Sequence, residues 1–96
     1  MAETKEKTVR KSLEFYGQVQ GVGFRYRAFH AASMIGVTGW VRNNPDDSVS
    51  MEIQGTEEQI DKVIKIVSQG RFVEILNVYE KAIPLVQNER GFYCTK

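Results

Sequence analysis

Ninety-six residues, 42% of them apolar and 26% charged, suffice for one hydrophobic core and are too few for two. A net charge of +1 gives no general attraction to nucleic acid or to an anionic membrane surface, and no apolar run approaches the roughly 20 residues that a spanning helix needs. The single cysteine, Cys94, has no internal disulfide partner, so a reducing cytoplasm is the expected compartment.

Residues 1–8 lack the apolar centre of a signal peptide and read as a solvated tail ahead of one domain spanning 9–96. Val9, Leu13, Phe15 and Val19 share a period of two, which predicts a strand with one face in the core. Phe24, Ala28, Ala31, Ala32 and Ile35 form a helical stripe, and Gly36 suits the end of that helix. Val37 to Asn43 reads as a second strand, Asn44-Pro-Asp-Asp-Ser48 as a turn, and the alternation at Val49, Met51 and Ile53 as a third strand. Thr56 and Gln59 have capping-box spacing ahead of a second helical face at Ile60, Val63, Ile64 and Val67, with Gly70 expected to end it. Phe72 to Ile83 supplies a fourth strand that Pro84 interrupts, and Phe92 to Thr95 is short enough to add at most one more.

The order β-α-β-β-α-β, with right-handed crossovers, predicts an α+β sandwich of the ferredoxin-like, split βαβ type. Two helices would cover one face of a mostly antiparallel sheet of four to five strands. That topology hosts many unrelated functions, so function has to be read from a site.

The stretch Gly17-Gln-Val-Gln-Gly-Val-Gly-Phe-Arg25 runs from a strand through three glycines into a helix. Unpaired amides at a helix start carry partial positive charge and attract anions. Arg25 in the first turn opposes the helix dipole, which favours acids there. Two readings stand: a surface arginine at small cost, or an anion site. No Asp or Glu occurs from Phe15 to Pro45, although 12 acids spread evenly would place roughly four there, while Arg25, Arg27 and Arg42 are present. The region is locally positive, as an anion site requires.

Several chemistries lack their residues. The sequence G-x-x-x-x-G-K-[ST] is absent, and G-x-G-x-x-G fails because Tyr26 stands where its last glycine belongs. Cys94 has two residues after it, too few for a phosphate-cradling loop, and reads as a strand or core residue. No His/Cys cluster has metal-ligand spacing. His30, the only histidine, lies five positions past Arg25, which turns it roughly 140° around the helix and away from the loop. Positioning and electrostatics by amides, a guanidinium and neutral amide side chains remain. They suit a substrate that brings its own good leaving group.

Two motifs stand in order: Gly17-x-Val19-Gln20-Gly21-Val22-x-Phe24-Arg25, then Gly36-Val-Thr-Gly39-Trp40-Val41-Arg42-Asn43. With Val49-x-Met51-x-Ile53-Gln54-Gly55 behind them, the chain closely resembles the acylphosphatase family over residues 9–83. The resemblance implies hydrolysis of the carboxyl–phosphate bond of small acyl phosphates, with no metal or cofactor. It implies a phosphate cradle of backbone amides at Gln18, Val19, Gln20, Gly21, Val22, Gly23 and Phe24. It further implies that Arg25 is the catalytic arginine and Asn43 the asparagine that holds the attacking water. Inorganic phosphate or sulfate is expected to compete, the chain is expected to act as a monomer, and neither nucleic acid nor membrane is an expected partner.

Local reading alone treats Asn43 first as a turn residue before Asn44-Pro45, and Trp40, Tyr16 and Tyr26 as packing aromatics. Arg42 is expected on the sheet face opposite Asn43. Asp46-Asp47 departs from the Asp-Gly usual in the family, which predicts a strained or altered turn. The ending Gly91-Phe-Tyr-Cys-Thr-Lys96 also departs from the commoner family endings, so a contact from the terminal carboxylate stays open. Two rival readings are a non-catalytic ligand-binding module on the same fold and an RNA binder using aromatics on its open sheet face.

Overall fold

The computed structural model describes residues 7–95. β1 runs over Thr8–Gln18, α1 over Phe24–Ile35, β2 over Thr38–Asn43, β3 over Val49–Thr56, α2 over Glu57–Ser68, β4 over Glu74–Ile83 and β5 over Phe92–Thr95. The strands form one sheet in the order β4-β1-β3-β2-β5. β1 is antiparallel to β3 on one side and to β4 on the other, and β2 is antiparallel to β3. β5 joins the far edge parallel to β2. Both helices pack on one face, giving the expected ferredoxin-like α+β fold.

Strand alternation sets the core. Leu13 and Phe15 of β1, Val41 of β2, and Val49, Met51 and Ile53 of β3 are buried in one cluster with Phe24, Ala28, Ala31 and Ala32 of α1 and Ile60, Val63 and Val67 of α2. Thr56 caps α2 as its spacing predicts: its hydroxyl accepts from the Gln59 amide at 3.1 Å, and the Gln59 side chain accepts from the Thr56 amide at 2.9 Å. The expected end at Gly70 shifts, because Gln69 is the cap residue. Gly70 answers a packing need instead. A Cβ there would stand 2.8 Å from Val73 and 3.0 Å from the Arg27 side chain. Arg27 crosses from α1 and donates to the Ile66 carbonyl at 2.9 Å, placing a cation at the negative end of α2.

Four boundaries differ from the sequence reading, the smallest being Val37, which precedes β2. Thr8, assigned to the tail, opens β1 opposite Thr56, while residues 1–6 lie outside the described residues. Val19 leaves the strand and starts the following loop. Phe72 and Val73 precede β4, where the chain is still turning, as the Val73 amide bonds the Gly70 carbonyl at 3.1 Å. No helix among the described residues is long and apolar enough to cross a membrane.

Pro84 follows β4, and residues 84–91 return across the helix-free face of the sheet to reach β5. Gln54 of β3 accepts from the Val86 amide at 2.9 Å and donates to its carbonyl at 3.1 Å. Arg10 of β1, 2% exposed, bonds Glu52 at 2.9 Å and Glu89 at 2.7 Å. Burial alone would raise the Glu89 carboxyl. Hydrogen bonds from Arg10 and Thr38 and the Arg10 charge outweigh it and hold the carboxyl below its ordinary value. This clasp delivers β5 to the sheet edge beside α1.

Candidate active site

The loop between β1 and α1 is pinned at both ends by core side chains, since Val19 and Phe24 are buried. The Phe24 ring packs on Phe15 with centroids 4.9 Å apart, which fixes the first turn of α1. Between the pins, Gly21 and Gly23 take left-handed backbone, with φ of 72° and 82°. A Cβ on either would meet nothing within 4 Å, so conformation rather than crowding demands glycine and the space before the loop stays open. Gly23 is the N-cap of α1. Among the described residues no side chain caps that end, and its first turn holds no acid. α2 differs, with its capping box and with Glu57 and Glu58 in its first turn. The amides that open α1 are thus left for an outside acceptor.

Phe24 points into the core, so its neighbour Arg25 turns toward the loop. The guanidinium is half-buried and its Nη1 donates to the Thr95 carbonyl of β5 at 3.1 Å. The Cys94 thiol donates to the Arg25 carbonyl at 3.4 Å. β5 therefore steadies Arg25 at both its backbone and its side chain. A cavity of about 170 Å³ opens here, lined by Val19, Gly21, Gly23, Phe24 and Arg25, with Tyr26 and Asn43 completing the wall.

Asn43 is the last residue of β2 and pairs with Val49 across the hairpin. The turn closes by bonds from the Asn44 amide to the Ser48 carbonyl at 2.9 Å and from the Asp47 amide to the Asn44 carbonyl at 3.2 Å. Asp47 takes φ of 74°, the left-handed strain its substitution for glycine predicts. The Ser48 hydroxyl and amide donate to Asp46 and lower its carboxyl below the usual range. Gln20 ties this hairpin to the glycine loop. Its Nε2 donates to the Asn44 carbonyl at 2.7 Å and to the Ser48 carbonyl at 2.8 Å.

The acylphosphatase family model matches residues 11–94. The chain belongs to the acylphosphatase family. It is 39% identical over 84 residues to the acylphosphatase of Clostridium acetobutylicum, spanning 86% of this chain and 92% of that one. It is 47% identical over 64 residues to the acylphosphatase of Thermococcus kodakarensis, spanning 67% and 70%. The crystal structure of acylphosphatase from Bacillus subtilis superposes with a TM-score of 0.83 at 25% identity, covering 92% of this chain and 99% of that chain.

Within this acylphosphatase-family domain, the residues expected at the site divide into two groups. Val19, Gly21, Gly23, Phe24, Arg25 and Asn43 meet at one cavity, whereas Gln18, Gln20 and Val22 do not line it. Gln18 remains in β1 opposite Glu74, Val22 packs half-buried against the core, and Gln20 spends its side chain on the hairpin. His30 does not line the cavity, in line with the sequence reading, and its ring meets Tyr26 edge-on with centroids 4.2 Å apart. Arg42 lies over the Trp40 ring at 5.1 Å on the face opposite Asn43. Tyr26 overturns its packing assignment: it is 68% exposed. Its position on the outer face of α1, one residue past Arg25, takes it off the core stripe. Cys94 lies in a strand as expected and is exposed rather than core.

Sequence reasoning missed the Gln20 brace, the Thr95 carbonyl and the Arg10 clasp. Each joins residues 24 or more positions apart, and no local pattern signals such a partner. Together these parts make a small cavity with uncapped helix amides, a planar guanidinium and a neutral amide at its rim. That combination can grip a phosphoryl group and orient a water without removing its proton.

Proposed function

We propose that this chain hydrolyses the carboxyl–phosphate bond of small acyl phosphates to a carboxylate and inorganic phosphate. One observation carries the reading: uncapped amides of a left-handed glycine loop, Arg25 and Asn43 border a single cavity. The amides that border this cavity, foremost Gly21, Gly23 and Phe24, receive the phosphoryl oxygens. Arg25 adds a charge-assisted fork while one of its N–H groups stays on the Thr95 carbonyl. Asn43 accepts from the attacking water and holds it in line with phosphorus. The water oxygen forms the new P–O bond, the bond to the carboxylate oxygen breaks, and a phosphoryl oxygen takes the proton. A carboxylate leaves without being protonated, so the site needs no general acid. The reaction as written uses only this chain's groups and requires no metal or cofactor. The chain acts as a monomer, in keeping with the family reading, and its place in the cytoplasm rests on its single unpaired cysteine.

Benzoyl phosphate hydrolysis tests this directly. Arg25→Ala abolishes both turnover and competition by inorganic phosphate or sulfate. Asn43→Ala cuts kcat by about 10²–10³-fold while phosphate competition is kept. Full activity in either variant removes the role assigned to that residue.

A further inference from the structure

The phosphoryl cavity adjoins an apolar groove, and Tyr26 belongs to both. The groove holds about 250 Å³ between α1 and α2 and is lined by Tyr26, Arg27, His30, Ala31, Met34 and Ile66. Met34 is 81% exposed and Tyr26 is 68% exposed, so both ends of the groove are open to solvent. Tyr26, His30 and Met34 recur every fourth residue and so form one ridge, along which α1 advances about 12 Å. Arg27 is turned onto the Ile66 carbonyl, which leaves the exposed wall to the tyrosine, histidine and methionine.

An acyl phosphate has a charged end and an organic end. The phosphoryl cavity, at about 170 Å³ and rimmed by amides and a guanidinium, suits the charged end. The organic end has to leave that cavity, and the wall it shares with the groove is Tyr26. We infer that the groove is an acyl-group subsite for aromatic or medium-length alkyl acyl groups. Tyr26 is its specificity-determining residue and Met34 its far end. The occupant follows from continuity with the phosphoryl cavity and from the groove's apolar lining. The inference rests on the acyl phosphate reading above and deepens it.

The test compares kcat/KM for acetyl, benzoyl and octanoyl phosphate in the wild type, Tyr26→Ala and Met34→Ser. The wild type is expected to favour octanoyl over acetyl phosphate by about tenfold, the scale of a partly open apolar pocket. Tyr26→Ala lowers both the benzoyl/acetyl and the octanoyl/acetyl ratios by about tenfold. Met34→Ser lowers the octanoyl/acetyl ratio by about threefold and spares the benzoyl/acetyl ratio, because a benzoyl ring is too short to reach it. Ratios cancel any general loss of folded enzyme. If acetyl phosphate is turned over and both ratios are unchanged in the variants, the groove serves something else, such as a protein partner, and the inference is overturned. If the wild type hydrolyses none of the three, the functional reading fails first and takes the inference with it.

Discussion

Arg25 sits at the end of α1 where the helix dipole disfavours a cation, and Asp47 sits in backbone that favours glycine. The cost of an arginine there is small, and the Thr95 carbonyl offsets part of it by accepting from the guanidinium. The Asp47 amide bonds the Asn44 carbonyl within the turn, where its strain is local. Replacing Asp47 by Gly should raise stability by about 0.5 kcal/mol, the left-handed penalty less the added freedom of the unfolded chain, read as a higher midpoint in urea. Gln20→Ala removes both bonds that hold the hairpin to the loop. It should lower kcat by about tenfold with a smaller change in phosphate competition, because it displaces Asn43 rather than the cradle. Arg25 and its glycines were legible because strand, loop and helix start follow one another in the chain. The Gln20 side chain was not, because its partners lie beyond a whole helix and strand.

The two helices begin in opposite ways, and the difference separates stability from function. Thr56→Ala should cost about 1 kcal/mol in thermal or urea unfolding through loss of the α2 cap, and should leave benzoyl phosphate turnover unchanged. Element order and type were legible from periodicity from the first strand through the fourth. What periodicity could not convey was burial in β4. Its branched and aromatic residues mark a strand without saying which of them the core covers, and Leu76, Val78 and Tyr79 are exposed. β4 is an edge strand that pairs with β1, and of its residues Ile75 packs against the core. β5 was only a possible strand in the sequence, because four residues gain a partner only once residues 84–91 have crossed the sheet.

Arg10, in the interior strand β1, and Glu89, just before the edge strand β5, tie the middle of the sheet to the strand whose Thr95 carbonyl accepts from Arg25. The folded state keeps the Glu89 carboxyl below its ordinary value of 4.5. The folded chain therefore binds fewer protons at Glu89 than the unfolded chain. The stability this confers is complete above pH 4.5 and is lost as pH falls through the lower folded value. Glu89→Gln should lower stability at neutral pH by about 1–3 kcal/mol and flatten the acid side of the stability curve, measured by urea unfolding from pH 3 to 7. Nothing in the sequence announces this clasp, since an arginine and a glutamate at opposite ends of a chain look like any solvated pair. The central claim remains that main-chain amides ahead of α1, with Arg25, converge on a phosphoryl group. Titration of the 15N-labelled chain with inorganic phosphate, followed amide by amide, tests it most directly. The account predicts saturable shifts centred on Gly21, Gly23 and Phe24 that vanish in Arg25→Ala. Shifts scattered over the surface, or none at that loop, would contradict it.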